Sequence, residues 1–230
     1  MIFANHHSGS SANLYTVSSA AGETLLLEAG LPAKQIKKAL KYRLSAIQAA
    51  LITHSHTDHC KGAAGLMYWG LDVYCTAPTA KAAKLKSAHR LHIIEPKKQF
   101  NIGNWKILPF ETQHDCPGSV GYYIQNAGRR MVFITDSFYC RYRFPKLNII
   151  AIECNWDPST LAPNLPSVVK KRLHKSHFNL DRVIRFLKAT DLSRVEAIYL
   201  IHLSEGNSDE LLFKTEVAKA TGVPVYVCAK

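Results

Sequence analysis

The hexapeptide His54-Ser-His56-Thr-Asp58-His59 follows directly on an apolar, strand-forming run at residues 49–53. It places three imidazoles and one carboxylate within six residues, a density that few structural needs explain. Neutral imidazole and carboxylate are good donors for a divalent transition ion. Alternate residues of an extended loop project the same way, so His54 and His56 can converge on one ion while Asp58 and His59, past the bend, turn toward a second. Four donors cannot fill two coordination spheres. Further ligands have to arrive from elsewhere in the chain, and the ends of other strands are the places to look.

Three such positions stand out. His114 follows the run Pro109-Phe-Glu-Thr-Gln113, Asp136 follows Met131-Val-Phe-Ile-Thr135, and His202 follows Ala197-Ile-Tyr-Leu-Ile201. A turn former or helix N-cap ordinarily occupies such a position, and that plainer reading weighs most for Asp136.

Around these points the pattern alternates strands and helices. Short β-like runs at 2–5, 13–18 and 24–28 read as a meander, and Pro32 opens a lysine-rich helix over 33–42. The metal-ligand run is expected on a loop, followed by a helix at 61–69, a strand at 73–76 and a basic helix at 79–87. Residues 100–110 and 121–134 read as antiparallel strands, the second turning at Asn126, Ala127 and Gly128. Ile149–Glu153 is a buried strand. Helices at 167–173 and Leu180–Lys188, a strand at 196–201, a helix at 209–221 and a strand at 223–228 complete the chain. Two batches of strands, each with its helices, favour a layered α/β arrangement in which loops from both sheets meet at one edge. With 230 residues and 47% hydrophobic content, one domain spanning residues 1–230 is expected.

No apolar run approaches the ~20 residues of a membrane helix, and the N-terminus lacks a basic stretch before an apolar core. The expectation is no membrane contact and a cytoplasmic location. Cys60, Cys75, Cys116, Cys140, Cys154 and Cys228 form no CxxC pair and read as reduced, space-filling thiols. Cys60 and Cys116 stand close enough to ligand candidates that an influence on them is the alternative. Lys and Arg outnumber Asp and Glu by 29 to 17, a formal charge of +12 spread over several stretches. Such a field attracts polyanions, although a solvated surface would carry the same charge.

The order His54-x-His56-x-Asp58-His59, then His114, Asp136 and His202, resembles that of the metallo-β-lactamase fold hydrolases along nearly the whole chain. The resemblance implies an αββα sandwich with four layers, His54, His56 and His114 on one metal, Asp58, His59 and His202 on the other, and Asp136 bridging. Within that superfamily, the stretches Ser8-Gly-Ser-Ser-Ala-Asn13, Glu153-Cys-Asn-Trp-Asp157, Ser176-His-Phe-Asn179 and His202-Leu-Ser-Glu-Gly-Asn207 are similar to the YycJ/WalJ group of nuclease-like proteins. Ala12 stands where that group usually has glycine, Glu28 where it more often has Asp, and Ser176 where it has glycine.

Two ions about 3.5 to 4 Å apart can share a hydroxide and clamp the oxygens of a phosphodiester during in-line displacement. His177, outside the ligand set, is the candidate for protonating the leaving oxygen, a helix-start or core histidine being the alternative. Asp58 and His177 are thus the catalytic expectation, and the cofactors are two divalent ions, Zn²⁺ or Mn²⁺. The partner is nucleic acid, DNA before RNA, with basic helices carrying Lys81, Lys84, Lys86 and Lys170, Lys171, Arg172, Lys175 as walls of a polyanion channel. A homodimer is one of the states the sequence allows. Trp69, Trp105 and Trp156 are expected in the core or at its rim, with base stacking the alternative. His6 and His7 read as surface histidines before extra ligands, and His89, His92 and His174 as solvent-facing. The leading expectation is a DNA exonuclease. A cyclic-nucleotide phosphodiesterase or RNA-processing nuclease, as in ribonuclease Z and anti-Pycsar enzymes that share the ligand pattern, comes second; a non-catalytic nucleic-acid-binding module comes third.

Overall fold

A computed structural model describes residues 1–86 and 88–228. The chain opens with the antiparallel meander β1 (Ile2–His7), β2 (Leu14–Ser18) and β3 (Thr24–Leu27). Helix α1 (Ala33–Ala39) then carries it to β4 (Ile47–Leu51), which lies parallel to β3. Two short helices, α2 (Thr57–Cys60) and α3 (Ala63–Tyr68), lead to β5 (Asp72–Thr76), and α4 (Ala77–Ala82) leads to β6 (Leu91–Ile94). These six strands form one sheet in sequence order.

The second sheet is built from β7 (Phe100–Ile102), β8 (Trp105–Glu111), β9 (Val120–Asn126), β10 (Arg129–Ile134) and β11 (Ile149–Glu153). After α5 (Ser167–Ser176) and α6 (Leu180–Lys188) come β12 (Ala197–Ile201), α7 (Glu210–Thr221) and β13 (Val225–Val227). The sheet order is β13-β12-β11-β10-β9-β8-β7.

Strand alternation fixes the layers, because successive side chains leave a strand on opposite faces. In β4, Ala49 and Leu51 join Leu25, Leu27, Met131 and Phe133 in the core between the sheets. Ala50 points the other way, to Ile36, Ala63, Leu66 and Ala80 of the helices covering the first sheet. In β10, Val132 and Ile134 face outward onto Val183, Phe186, Phe213 and Val217 of α6 and α7. The result is the expected αββα sandwich.

Strand direction places the chemistry. β8 and β10 both run antiparallel to β9, so they run the same way as each other, and β11 and β12 are parallel to β10. All four therefore end at one edge, delivering His114, Asp136, Glu153 and His202 there. The first sheet meets them at that edge: Val120 N donates to Thr53 O at 3.1 Å and Tyr122 Oη to Ile52 O at 2.7 Å, just before His54.

Some local expectations needed correction. Residues 100–110 are a hairpin, because Gly103 supplies a left-handed φ of +52° next to Asn104. Strand β6 is not among the expected strands; it pairs parallel to β5 at the edge of the first sheet. The ligand run is not all loop, since Asp58 and His59 lie in α2, tied down by backbone bonds from Asn13 N to Asp58 O and Ala29 N to His59 O, both 2.8 Å. This approach requires Gly30, where a Cβ would sit 1.8 Å from Asp58 O. The helix expected to reach Ser87 ends at Ala82, and Ser87 lies outside the described residues. The strand expected over 223–228 is confined to β13, three residues that follow Pro224. Of the tryptophans, Trp105 and Trp156 are fully buried and cannot stack bases, whereas Trp69 lies partly exposed beside Lys37.

Phe133 is fully buried between the sheets, its ring 5.5 Å from Tyr15 and 6.5 Å from Phe3 across the interface. Replacing Phe133 by Ala should destabilise the protein by about 3–5 kcal/mol in equilibrium denaturant unfolding, the range for emptying an aromatic core site; a loss below about 1 kcal/mol would contradict this placement.

Candidate metal centre

His54 leaves the end of β4 with its Nε2 3.2 Å from His56 Nδ1, and His114 Nε2 approaches the same His56 atom at 3.1 Å. The protons of two of these rings are already spoken for. Thr53 Oγ1 donates to Glu28 Oε1, so the His54 Nδ1 that lies 2.9 Å from that hydroxyl must be the donor. His114 Nδ1 lies 3.0 Å from the carbonyl of Ser176, which can only accept. Both Nε2 atoms are therefore bare acceptors aimed at His56 Nδ1, which carries one proton at most. One hydrogen cannot serve two buried acceptors well, and a cation serves all three.

The spacing agrees. Four donors arranged tetrahedrally at about 2.0–2.1 Å from an ion lie about 3.4 Å from one another. Besides the imidazole contacts, Asp136 Oδ2 is 3.5 Å from both His54 Nε2 and His114 Nε2. The other Asp136 oxygen, Oδ1, faces a second set: it is 3.4 Å from His59 Nε2 and 3.5 Å from His202 Nε2. Asp58 Oδ2 completes that set at 3.2 Å from His59 Nε2 and 3.4 Å from His202 Nε2. The donor atoms of His54, His56, His114 and Asp136 all lie within 4.8 Å of one another, as do those of Asp58, His59 and His202. The seven residues singled out in the sequence thus meet as two clusters with one carboxylate between them.

Buried carboxylates orient these rings. Glu28, fully buried and itself at φ +67°, accepts from Thr53 and lies 3.4 Å from His59 Nδ1. Glu153, also fully buried, lies 3.3 Å from His202 Nδ1 and 2.6 Å from His177 Nδ1, and accepts from the backbone N–H groups of Ser137 and Phe178. Where such a partner is at hydrogen-bond distance, as Glu153 is for His177 and Ser176 O for His114, it fixes which ring nitrogen is left to face the cleft. Asp136 (φ +45°) and His202 (φ +54°) turn sharply out of their strands in the left-handed region, which Asp and His enter more readily than most residues. Asp136 is not an N-cap.

Electrostatics separates the clusters. Burial and the neighbouring imidazoles hold His54 well below the usual histidine range. Burial also opposes charge on His202, but Asp136, Asp58 and Glu153 outweigh it and push His202 up to about 10. His59 is raised too, burial losing to Asp136 and Glu28. His177 is raised by Glu153 against burial. The carboxylates of the second cluster hold positive charge there.

The clusters open into a cleft of about 510 Å³ whose lining includes Ser10, Asn155, Arg172, Leu173, His177 and Ser204. Of the two basic stretches expected as walls, only α5 borders it; Lys84 and Lys86 line a separate hollow with Met67 and Tyr68. His6 and His7 bond to Thr16 and to Ala12 O and join neither cluster. His92 is half-buried against the Tyr74 ring, and exposed His174 meets the Trp156 ring edge-on. All six cysteines are free and buried. Sequence reasoning gave no role to Glu153, although a carboxylate closing the apolar run Ile149–Ile152 carried the same signal as Asp136 and His202. Asp115, which pairs with Arg172 at 3.1 Å, carried none.

A fold of this kind with this cluster defines a metal-dependent hydrolase. The family model of the β-lactamase superfamily domain matches residues 23–203, and the chain belongs to that family. The exodeoxyribonuclease WalJ of Streptococcus pneumoniae is 30% identical over 91% of this chain and 84% of its own length. The exodeoxyribonuclease YycJ of Bacillus anthracis is 26% identical over 92% and 86%. The metallo-β-lactamase fold protein YhfI from Bacillus subtilis superposes with a TM-score of 0.77 at 18% identity, covering 99% of this chain and 95% of that one. Among the described residues no helix is long and apolar enough to cross a membrane.

With His202 pushed up by Asp136, Asp58 and Glu153, a cation that took its Nε2 would have to displace a proton, and that competition would grow as pH falls. Zn²⁺ titrated by calorimetry in buffers of different ionisation enthalpy should release protons at pH 7 and bind more weakly at pH 6. Proton-independent binding would show that His202 is not displaced.

Proposed function

We propose that residues 1–230 act as one catalytic unit, a DNA exonuclease that uses two divalent ions, Zn²⁺ or Mn²⁺. The observation that carries this reading is the two-sided Asp136 carboxylate, with one oxygen facing each histidine cluster at the base of an open cleft. His54, His56 and His114 are the ligands of one ion and Asp58, His59 and His202 those of the other, with Asp136 shared. Ions held there would lower the proton affinity of water and offset the charge that develops on a phosphodiester.

The chain's own groups supply the rest. Arg172 projects from α5 at the cleft wall, among Lys170, Lys171 and Lys175, and offers a planar donor fork to a phosphate. Glu153 holds His177 by Nδ1 and favours its charged form, so the imidazolium carries a second proton on Nε2, in a ring lining the cleft, that it can give to the leaving oxygen. The choice of DNA is supported by two relatives named as exodeoxyribonucleases at 30% and 26% identity. Buried, unpaired cysteines suit the reducing cytoplasm.

The test is cleavage of end-labelled linear DNA, circular DNA, RNA and cyclic nucleotides with Zn²⁺ or Mn²⁺. The expected result is loss of terminal label from linear DNA only, abolished in Asp58→Ala; turnover of cyclic nucleotides alone would replace the reading with a signalling phosphodiesterase. His177→Gln should keep its metal content while kcat falls by about 10²–10⁴-fold, the usual contribution of a positioned proton donor. Unchanged kcat in that variant would leave His177 a structural residue.

A further inference from the structure

A second pocket, of about 200 Å³, lies beside the metal cleft and takes no part in the chemistry above. Its lining combines the buried side chains of Cys140, Phe178 and Phe186 with Tyr139, which is 51% exposed, and the arginines Arg143, Arg182 and Arg185. Cleft and pocket share two segments of chain. Asp136 and Tyr139 lie three residues apart on one loop, and His177, which lines the cleft, is followed directly by Phe178, which lines the pocket.

The guanidinium groups are arranged rather than scattered. Arg182 Nη1 donates to Phe138 O at 3.3 Å and to His174 O at 2.9 Å, which fixes its plane 5.5 Å from the Phe138 ring. Arg143 lies 5.9 Å from the Phe186 ring. Among the described residues Arg185 is paired only with Asp181 on the exposed surface of α6, a weak link that leaves donors for another anion. Asp181 is thus the one acidic partner these three arginines have among the ion pairs of the described residues.

Aromatic surface beneath a guanidinium rim matches a nucleotide: flat rings stack on Tyr or Arg, and phosphates take the planar donor fork. The volume is below that of a typical small-molecule site, so it suits one planar ring system. We propose that this pocket is a strand-holding subsite that binds one nucleotide of the single-stranded DNA whose end occupies the metal cleft, with Tyr139 against the base and Arg143 and Arg185 on phosphate. This inference rests on the exonuclease reading of the cleft for the identity of the strand.

Binding is the direct test. The probe is a fluorescein-labelled, phosphorothioate-linked oligodeoxythymidylate of about 12 nucleotides, within the range one single-strand groove spans. It is titrated into the metal-loaded protein at several salt concentrations. Arg143→Ala/Arg185→Ala should weaken binding and reduce the slope of log affinity against log salt by about 0.7 for each phosphate no longer neutralised. Tyr139→Ala should weaken binding by about 5-fold or more with the slope unchanged, since stacking releases no counterions. Lys34→Ala/Lys38→Ala removes the same charge from exposed positions on α1, on the opposite outer layer, and should leave the slope as it is. Equal losses in both double variants would mean a general charge effect and overturn the subsite, as would wild-type affinity in the arginine variant or no oligonucleotide binding by the unaltered protein. Cleavage of linear DNA by the unaltered protein is followed in parallel. Its absence would remove the exonuclease reading whatever the pocket does, whereas intact cleavage with unaffected variants would remove the pocket alone.

Discussion

Asp136 is 2% exposed, and Glu28 and Glu153 are fully buried within reach of the same histidine clusters. Taking one carboxylate out of water costs several kcal/mol unless positive charge and hydrogen bonds meet it. Imidazoles, the Thr53 hydroxyl and backbone N–H groups of Thr53, Ser137 and Phe178 surround these anions, and the two-sided Asp136 still presents each oxygen to an array of ring nitrogens. Two of those nitrogens are bare acceptors pointing at a third. A cation is the group that would satisfy such an arrangement.

The sandwich supplies the rigidity this requires. Four strands of one sheet run the same way and end at one edge, while β4 of the other sheet ends against them through bonds at Thr53 and Ile52. Each residue of the two clusters projects from, or just beyond, an element whose faces are fixed by a buried core. The helical turn of α2 is pinned at Asp58 and His59 by backbone bonds from Asn13 and Ala29, and the missing Cβ of Gly30 is what lets the two segments touch. Side chains held this way would need little reorganisation if an ion bound between them, and such preorganisation is where much of the effectiveness of polar sites comes from.

Basic charge has a narrower role than its total of +12 suggests. Charge is legible in a sequence as a sum, but attraction at a site depends on which cations reach it within about a Debye length. Lys84 and Lys86 sit away from the cleft, whereas α5 lies along it and Arg182 ties the end of α5 to the loop after Asp136. The arginines thus link the cleft wall to the neighbouring pocket.

By itself the sequence pointed to a layered α/β arrangement and to all seven residues of the two clusters, because strand alternation and donor chemistry are local: apolar runs that stop at His or Asp can be read without knowing where they go; the αββα order was what the family resemblance implied. Only the tertiary structure decided the partners that come from sequence-distant chain. Glu153 holding His177 and His202, Glu28 reaching His59, Ser176 O fixing His114 and the Asp115–Arg172 pair all join residues well apart along the chain. Such contacts leave no periodicity and no spacing in the sequence; they exist because co-directional strands end together and two sheets close over one core.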